Sequence, residues 1–177
     1  MIILGIDPGS QVTGFGLIRM DQAVHTIAHV SHGLISPPSA LAFHDRLAII
    51  AREIETLIER SQPDIVVVER IFLGKNADSA FKLGHVRGVA IASALRAGCE
   101  FVEYAPRAVK KGVTGSGAAS KEQVQLILFA ALGLRGTKVK FDASDALALA
   151  FYHSRNIEIS TAANRKPSRR LRNEVDL

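Results

Sequence analysis

Residues 65–69 read Ile-Val-Val-Val-Glu. An unbroken β-branched run of this kind is the mark of a central strand buried on both faces. Upstream of it, Met1 to Ile6 reads as a first strand ending at Asp7-Pro8-Gly9. Thr13 to Arg19 and Val24 to Val30 read as two more strands, made a hairpin by the polar turn near Met20 to Gln22. Between hairpin and central strand, a helix is predicted from about Ala40 to Arg60. Leu47, Ile50, Ile54 and Leu57 share one face of it, and Pro63 closes it. Downstream, a second helix is predicted over Ala77 to Arg96, with a stripe of small residues at Ala77, Ala80, Gly84, Gly88 and Ala92. A strand over Cys99 to Tyr104 follows. Then come a helical turn over Pro106 to Lys111 and a glycine-rich loop over Gly112 to Ala119. Ser120 and Gln123 are spaced for a capping box at the start of a third helix. Phe141 leads into a last helix from Asp142 to about Asn156. Three early strands followed by alternating helices and strands indicate an α/β domain with a mixed sheet.

The 177 residues suit one domain with a sizeable core. Hydrophobic residues make up 47% and charged residues 22%, which excludes global disorder and collagen-like structure. The longest apolar runs, such as Leu126 to Leu132, fall short of the roughly 20 residues that cross a bilayer. No basic region precedes an apolar run at the N-terminus, so no signal peptide is expected. A lone cysteine, Cys99, excludes an intramolecular disulfide and a cysteine-rich zinc site, and suits a reducing cytoplasm. The net charge of +5 admits an anionic partner. Aromatics at 6% and no tryptophan argue against gripping single strands by stacking, leaving backbone contact by Lys and Arg. Arg165, Lys166, Arg169, Arg170 and Arg172 crowd residues 157–177, which read as a mobile basic tail after a domain of residues 1–156.

Four carboxylates stand where folding does not require them. Asp7 and Glu69 each follow a strand run, and ligand sites in open α/β sheets gather at the carboxyl ends of strands. If the two strands are parallel neighbours, these side chains converge. Asp142 and Asp145 sit three apart at the start of the last helix and share a face. Four negative charges in one cleft call for a cation or for protonation. All-oxygen ligands suit Mg²⁺ or Mn²⁺, and two such ions about 3.5–4 Å apart can clamp the attacking and leaving oxygens of a phosphodiester. A basic protein with an acidic metal cleft is what a nuclease needs. Each residue also has a purely structural use: Asp7 in a turn, Glu69 in a surface ion pair, Asp142 and Asp145 as cap and first-turn acid.

Gly112 to Gly117 has Walker A glycine spacing, but Ala118 stands where the lysine belongs, so a P-loop is rejected. Lys110, Lys111 and Lys121 flank this stretch and could hold phosphates. Phe72 either covers the core or acts as an apolar wedge between bases. The histidines form no close metal-ligand pair, although His25 and His29 fall on one side of a strand.

Three segments resemble one family. Gly5-Ile6-Asp7-Pro8-Gly9-Ser10 with Thr13-Gly14-Phe15-Gly16 is similar to the opening of the RuvC family of Holliday junction resolvases. Glu69-Arg70-Ile71-Phe72 with Lys75-Asn76-Ala77-Asp78-Ser79-Ala80 resembles its second signature, and Asp142-Ala143-Ser144-Asp145-Ala146-Leu147-Ala148 its third. Order and spacing also match, over roughly residues 1–156. The resemblance implies a ribonuclease H-like fold, with a mixed five-stranded sheet flanked by helices, and a homodimer. It implies Mg²⁺-dependent paired nicking of opposing strands of a four-way DNA junction, with Mn²⁺ as a substitute and two ions per site. A branch-migration motor is the implied partner. Asp7, Glu69, Asp142 and Asp145 match the family's metal-binding residues, Phe72 its junction-unstacking phenylalanine, and Lys110 and Lys121 its active-site lysines. Lys75 and Lys111 are the further candidate DNA contacts. A related nuclease acting on RNA and an inactive junction-binding module are the rival readings.

Overall fold

The computed structural model describes residues 1–24, 26–70 and 77–164, without the side chains of 158–164. The first three strands, β1 (Ile2–Asp7), β2 (Thr13–Asp21) and β3 (Thr26–Ile35), pair antiparallel in turn. β4 (Ile65–Glu69) joins β1 in parallel, and β5 (Glu100–Tyr104) joins β4 in parallel. The order across the sheet is β3-β2-β1-β4-β5, which puts the Ile-Val-Val-Val run of residues 65–68 between two neighbours.

Alternation along the strands sorts the core into two halves. Leu4, Ile6, Val66 and Val68 face one way, against α1 (Phe43–Ser61) and α2 (Ala77–Arg96). Ile3, Ile65 and Val67 face the other way, against α3 (Pro106–Thr114), α4 (Lys121–Leu132) and α5 (Phe141–Asn164). Period two then puts Gly5, Asp7 and Glu69 on this second face, the one carrying α5. Ile3, Leu4, Ile6, Val66, Val67 and Val68 are all fully buried, so the central strands are sealed on both sides as their composition requires.

The structure revises the predicted elements at several points. The helical turn over Pro106 to Lys111 is a full helix to Thr114, because Val109 and Val113, four apart, both bury into the core. Gly112 therefore lies inside a helix, not in a loop. A Cβ there would meet the Tyr152 ring at 2.1 Å, so this glycine serves packing. The glycine-rich loop shrinks to the stretch after Thr114, with Gly115 at φ 84° capping α3. β3 begins later and runs further than Val24 to Val30, with a bulge where Leu17 gives way to Ile18. The last helix passes Asn156 and continues to Asn164, and Ile157 packs on the core just beyond the expected end. The proposed tail boundary thus falls within a helix, while the five basic residues from Arg165 to Arg172 lie outside the described residues. The capping box at Ser120 and Gln123 is present, with both reciprocal bonds made.

Candidate active site

Asp7 and Glu69 reach one place because β1 and β4 are parallel neighbours. Ile6 pairs with Val68, so the next residue of each strand, Asp7 and Glu69, ends the strand side by side on the same face. The chain turns sharply after Asp7. Thr13, fully buried, closes that turn: its hydroxyl donates to the Gly9 carbonyl at 2.8 Å and accepts from the Gly9 N–H at 3.2 Å.

α5 brings the other two carboxylates, and glycines set how closely it approaches. A Cβ on Gly5 would stand 2.0 Å from the Ala146 carbonyl oxygen. On Gly14 it would stand 2.0 Å from the Asp142 carbonyl oxygen, and on Gly16 2.6 Å from the Leu147 Cα. Gly5 pairs with Gly16 across the sheet, and Gly14 with Asp7. These bare backbones form a trough into which the first turns of α5 settle, helix backbone against sheet backbone. Asp142 and Asp145, in those turns, are delivered to the ends of β1 and β4.

The result is a cleft of about 300 Å³ lined by Asp7, Glu69, Lys110, Lys121 and Asp145, with an apolar floor that includes Val109, Val124 and Leu149. Asp142 is not among the lining residues, but its charge acts on Asp7 and Lys121. At Asp7 and Glu69, burial acts first and the neighbouring carboxylates second. Burial pushes the Asp7 carboxyl up to about 8, with Glu69, Asp145 and Asp142 adding to the rise against the pull of Lys121. Glu69 is raised by burial and by the Asp145 charge, partly offset by Lys121 and Lys110. Burial draws the Lys121 ammonium down, but its hydrogen bond to Asp145 and the surrounding carboxylates outweigh this and hold it above its ordinary range.

Lys121 is the first residue of α4 and forms an ion pair with Asp145. Lys110, on α3, donates to the Ala119 carbonyl at 2.9 Å, so its ammonium is fixed at the cleft wall. Lys111 is exposed on α3 and does not line the cleft. Phe72 and Lys75 lie outside the described residues. Among the described residues, no three His, Cys, Asp or Glu side chains close into a ready-made chelate. The donor set itself fits a hard divalent cation: it is all oxygen, and Asp7, Glu69 and Asp145 line one cleft.

Two contributors escaped the sequence reading. One is the set of Gly5, Gly14 and Gly16, whose signal was glycine at in-strand positions, where it weakens a strand unless another backbone must come close. The other is Phe141, read only as the lead into a helix. Its ring is 37% exposed at the first position of α5, with the Lys121 Nζ 5.8 Å from its centroid.

Comparison with known proteins supplies relatives for this arrangement. Residues 3–153 match the family model described as crossover junction endodeoxyribonuclease RuvC. The protein of that name from Bdellovibrio bacteriovorus is 52% identical over 154 residues, covering 87% of this chain and 90% of the relative. The one from Pelobacter propionicus is 45% identical over 170 residues, covering 96% and 95%. Among solved structures, Thermus thermophilus RuvC in complex with Holliday junction substrate superposes with a TM-score of 0.82 at 28% identity. That match covers 91% of this chain and 97% of the other. The likeness bears out the ribonuclease H-like fold expected from the motifs.

Proposed function

The chain belongs to the RuvC family of crossover junction endodeoxyribonucleases, the Holliday junction resolvases, and from that premise we propose how its cleft cuts DNA. The substrate is a four-way DNA junction, and the reaction is hydrolysis of one phosphodiester in each of two opposing strands. The observation that carries the reading is the convergence of Asp7, Glu69 and Asp145 on one cleft, with Asp142 in the same first turns of α5.

Asp7, Glu69, Asp142 and Asp145 would hold Mg²⁺, with Mn²⁺ as a substitute and two ions per site. Bound there, the ions would activate a water and stabilise charge on the leaving 3′ oxygen. The remaining roles belong to the chain. The sheet ends hold Asp7 and Glu69 in fixed relation, and the glycine trough holds α5 against them. Lys121 and Lys110 supply positive charge beside the carboxylates, suited to non-bridging phosphate oxygens as negative charge grows in the transition state. Lys111 and Lys75 contribute phosphate contacts further out, and Phe72 wedges into the junction, both on the strength of the family motif.

Cutting two strands in step calls for two sites related by a two-fold axis. The face of α2 suits that interface. Ala77, Ala80, Gly84, Gly88 and Ala92 line an apolar groove of about 810 Å³ together with Phe81, which is 71% exposed. Among the described residues, nothing beyond the adjoining backbone of α2 itself lies within 4 Å of a Cβ added at Gly84 or Gly88. A second copy packed there would cover an apolar patch that this copy leaves open. Action in the cytoplasm beside a branch-migration motor completes the reading, by family resemblance. No helix among the described residues is long and apolar enough to cross a membrane.

The test compares a four-way junction with a linear duplex of the same sequence, each with Mg²⁺ and with EDTA. Ligatable nicks paired across the junction, absent with EDTA and absent for Asp7→Asn, are expected. Equal cutting of the duplex would overturn the junction specificity, and binding without cutting under every divalent ion would leave only a binding module.

A further inference from the structure

We infer that Phe141 is a positioning residue for Lys121: its ring holds the ammonium at the mouth of the cleft without neutralising it. The inference rests on the reading of Lys121 as a phosphate-facing group.

Lys121 is poorly placed for helix stability. It occupies the first position of α4, where the helix dipole presents partial positive charge and disfavours a cation. Ser120 and Gln123 already satisfy the cap, so the lysine is not needed to start the helix. Its side chain is half exposed and would be free to sample solvent but for two contacts. One is the ion pair with Asp145, the other the face of Phe141 at 5.8 Å, within the roughly 6 Å reach of a cation–π contact.

Both contacts come from one helix. Phe141 and Asp145 are four residues apart in the first turns of α5 and therefore share a face. The two grips differ in kind. Asp145 neutralises the charge it holds and is itself a carboxylate of the cleft. Were it to ligate a divalent cation, it would no longer retain the lysine. An aromatic face attracts the ammonium through its quadrupole and leaves the full charge available to a phosphate oxygen. Burial alone does not account for the ring's place. Phe141 is 37% exposed, so part of its apolar area stays outside the core on the side of Lys121.

The experiment measures single-turnover cutting of a four-way junction, and junction affinity, for the full-length protein with Mg²⁺. Phe141→Leu keeps apolar bulk and loses the π face. Its turnover is expected to fall about 2- to 5-fold, the equivalent of the 0.5–1 kcal/mol of an exposed cation–π pair, with junction affinity unchanged. Phe141→Tyr restores the face and is expected to restore the rate. In the Lys121→Ala background, Phe141→Leu is expected to cost nothing further, since residues that act as a unit are non-additive. Phe141→Met stands in if the leucine variant does not fold. Three results would overturn the inference alone. One is a rate for Phe141→Leu equal to that of the parent. Another is equal losses for leucine and tyrosine. The third is a loss confined to affinity, which would make the ring a DNA contact. A parental rate for Lys121→Ala would instead overturn the role of Lys121 itself, and the inference with it.

Discussion

Asp7 is buried against its own charge. Its carboxyl titrates near 8 in the folded protein and at about 3.8 in the unfolded chain. Between those values the folded state binds a proton that the unfolded state does not, so stability falls as pH rises through that window. Melting temperatures in EDTA should therefore be higher at pH 5 than at pH 8. Asp7→Asn removes the charge that burial opposes. This variant should melt higher than the parent at pH 8 and show a flatter pH profile, while losing all cutting and keeping junction binding. Thermal melts at the two pH values check the first part; a lower melting temperature for the variant at pH 8 would mean that Asp7 is not held against its charge. Mg²⁺ should raise the parent's melting temperature most at pH 8, where the unneutralised carboxylates repel each other most.

The elements are placed by what they omit as much as by what they carry. α5 rests on β1 and β2 through backbone contact at Gly5, Gly14 and Gly16. Gly5→Ala would drive a methyl group into the Ala146 carbonyl, and the helix would have to lift. Overpacking of this sort costs about 1–3 kcal/mol, and the lift carries Asp142 and Asp145 away from Asp7 and Glu69. Urea denaturation should report the loss of stability, and cutting should fall well beyond what the loss of folded protein explains. α5 is tied separately near its middle: the Tyr104 hydroxyl and His153 Nδ1 lie 2.8 Å apart, joining β5 to the helix. A lift caused at Gly5 is thus a tilt about this mid-helix tie, felt most at the carboxylates of the first turns.

At the scale of the whole molecule, the carboxylate cleft and the apolar groove lie on opposite sides of the sheet. α5 covers one face, and α1 and α2 cover the other. DNA at the cleft and the proposed second copy at the groove would therefore not compete. Phe81→Glu puts a charge into the groove at a position already exposed, so the fold should survive and the proposed dimer should not. Sedimentation should report a monomer, and junction cutting should give single unpaired nicks. A stable dimer with this substitution would move the interface elsewhere. Much of this was legible in the chain itself. The β-branched run at residues 65–68, the helical periodicities, the Ser120 capping box and the spacing of the four acids each depend on neighbours in sequence, and local patterns record such features directly. The length of α3 and the run of α5 past Asn156 were not legible, because Val109, Val113 and Ile157 are held by distant partners. The same applies to Phe141, whose ring means nothing until α4 sets Lys121 above it. The sequence by itself determined which residues could do the chemistry and at which strand and helix ends they stand. Only the tertiary structure decided that they meet, because their meeting depends on the parallel register of β1 with β4 and on how closely a helix backbone can approach strands that lack side chains.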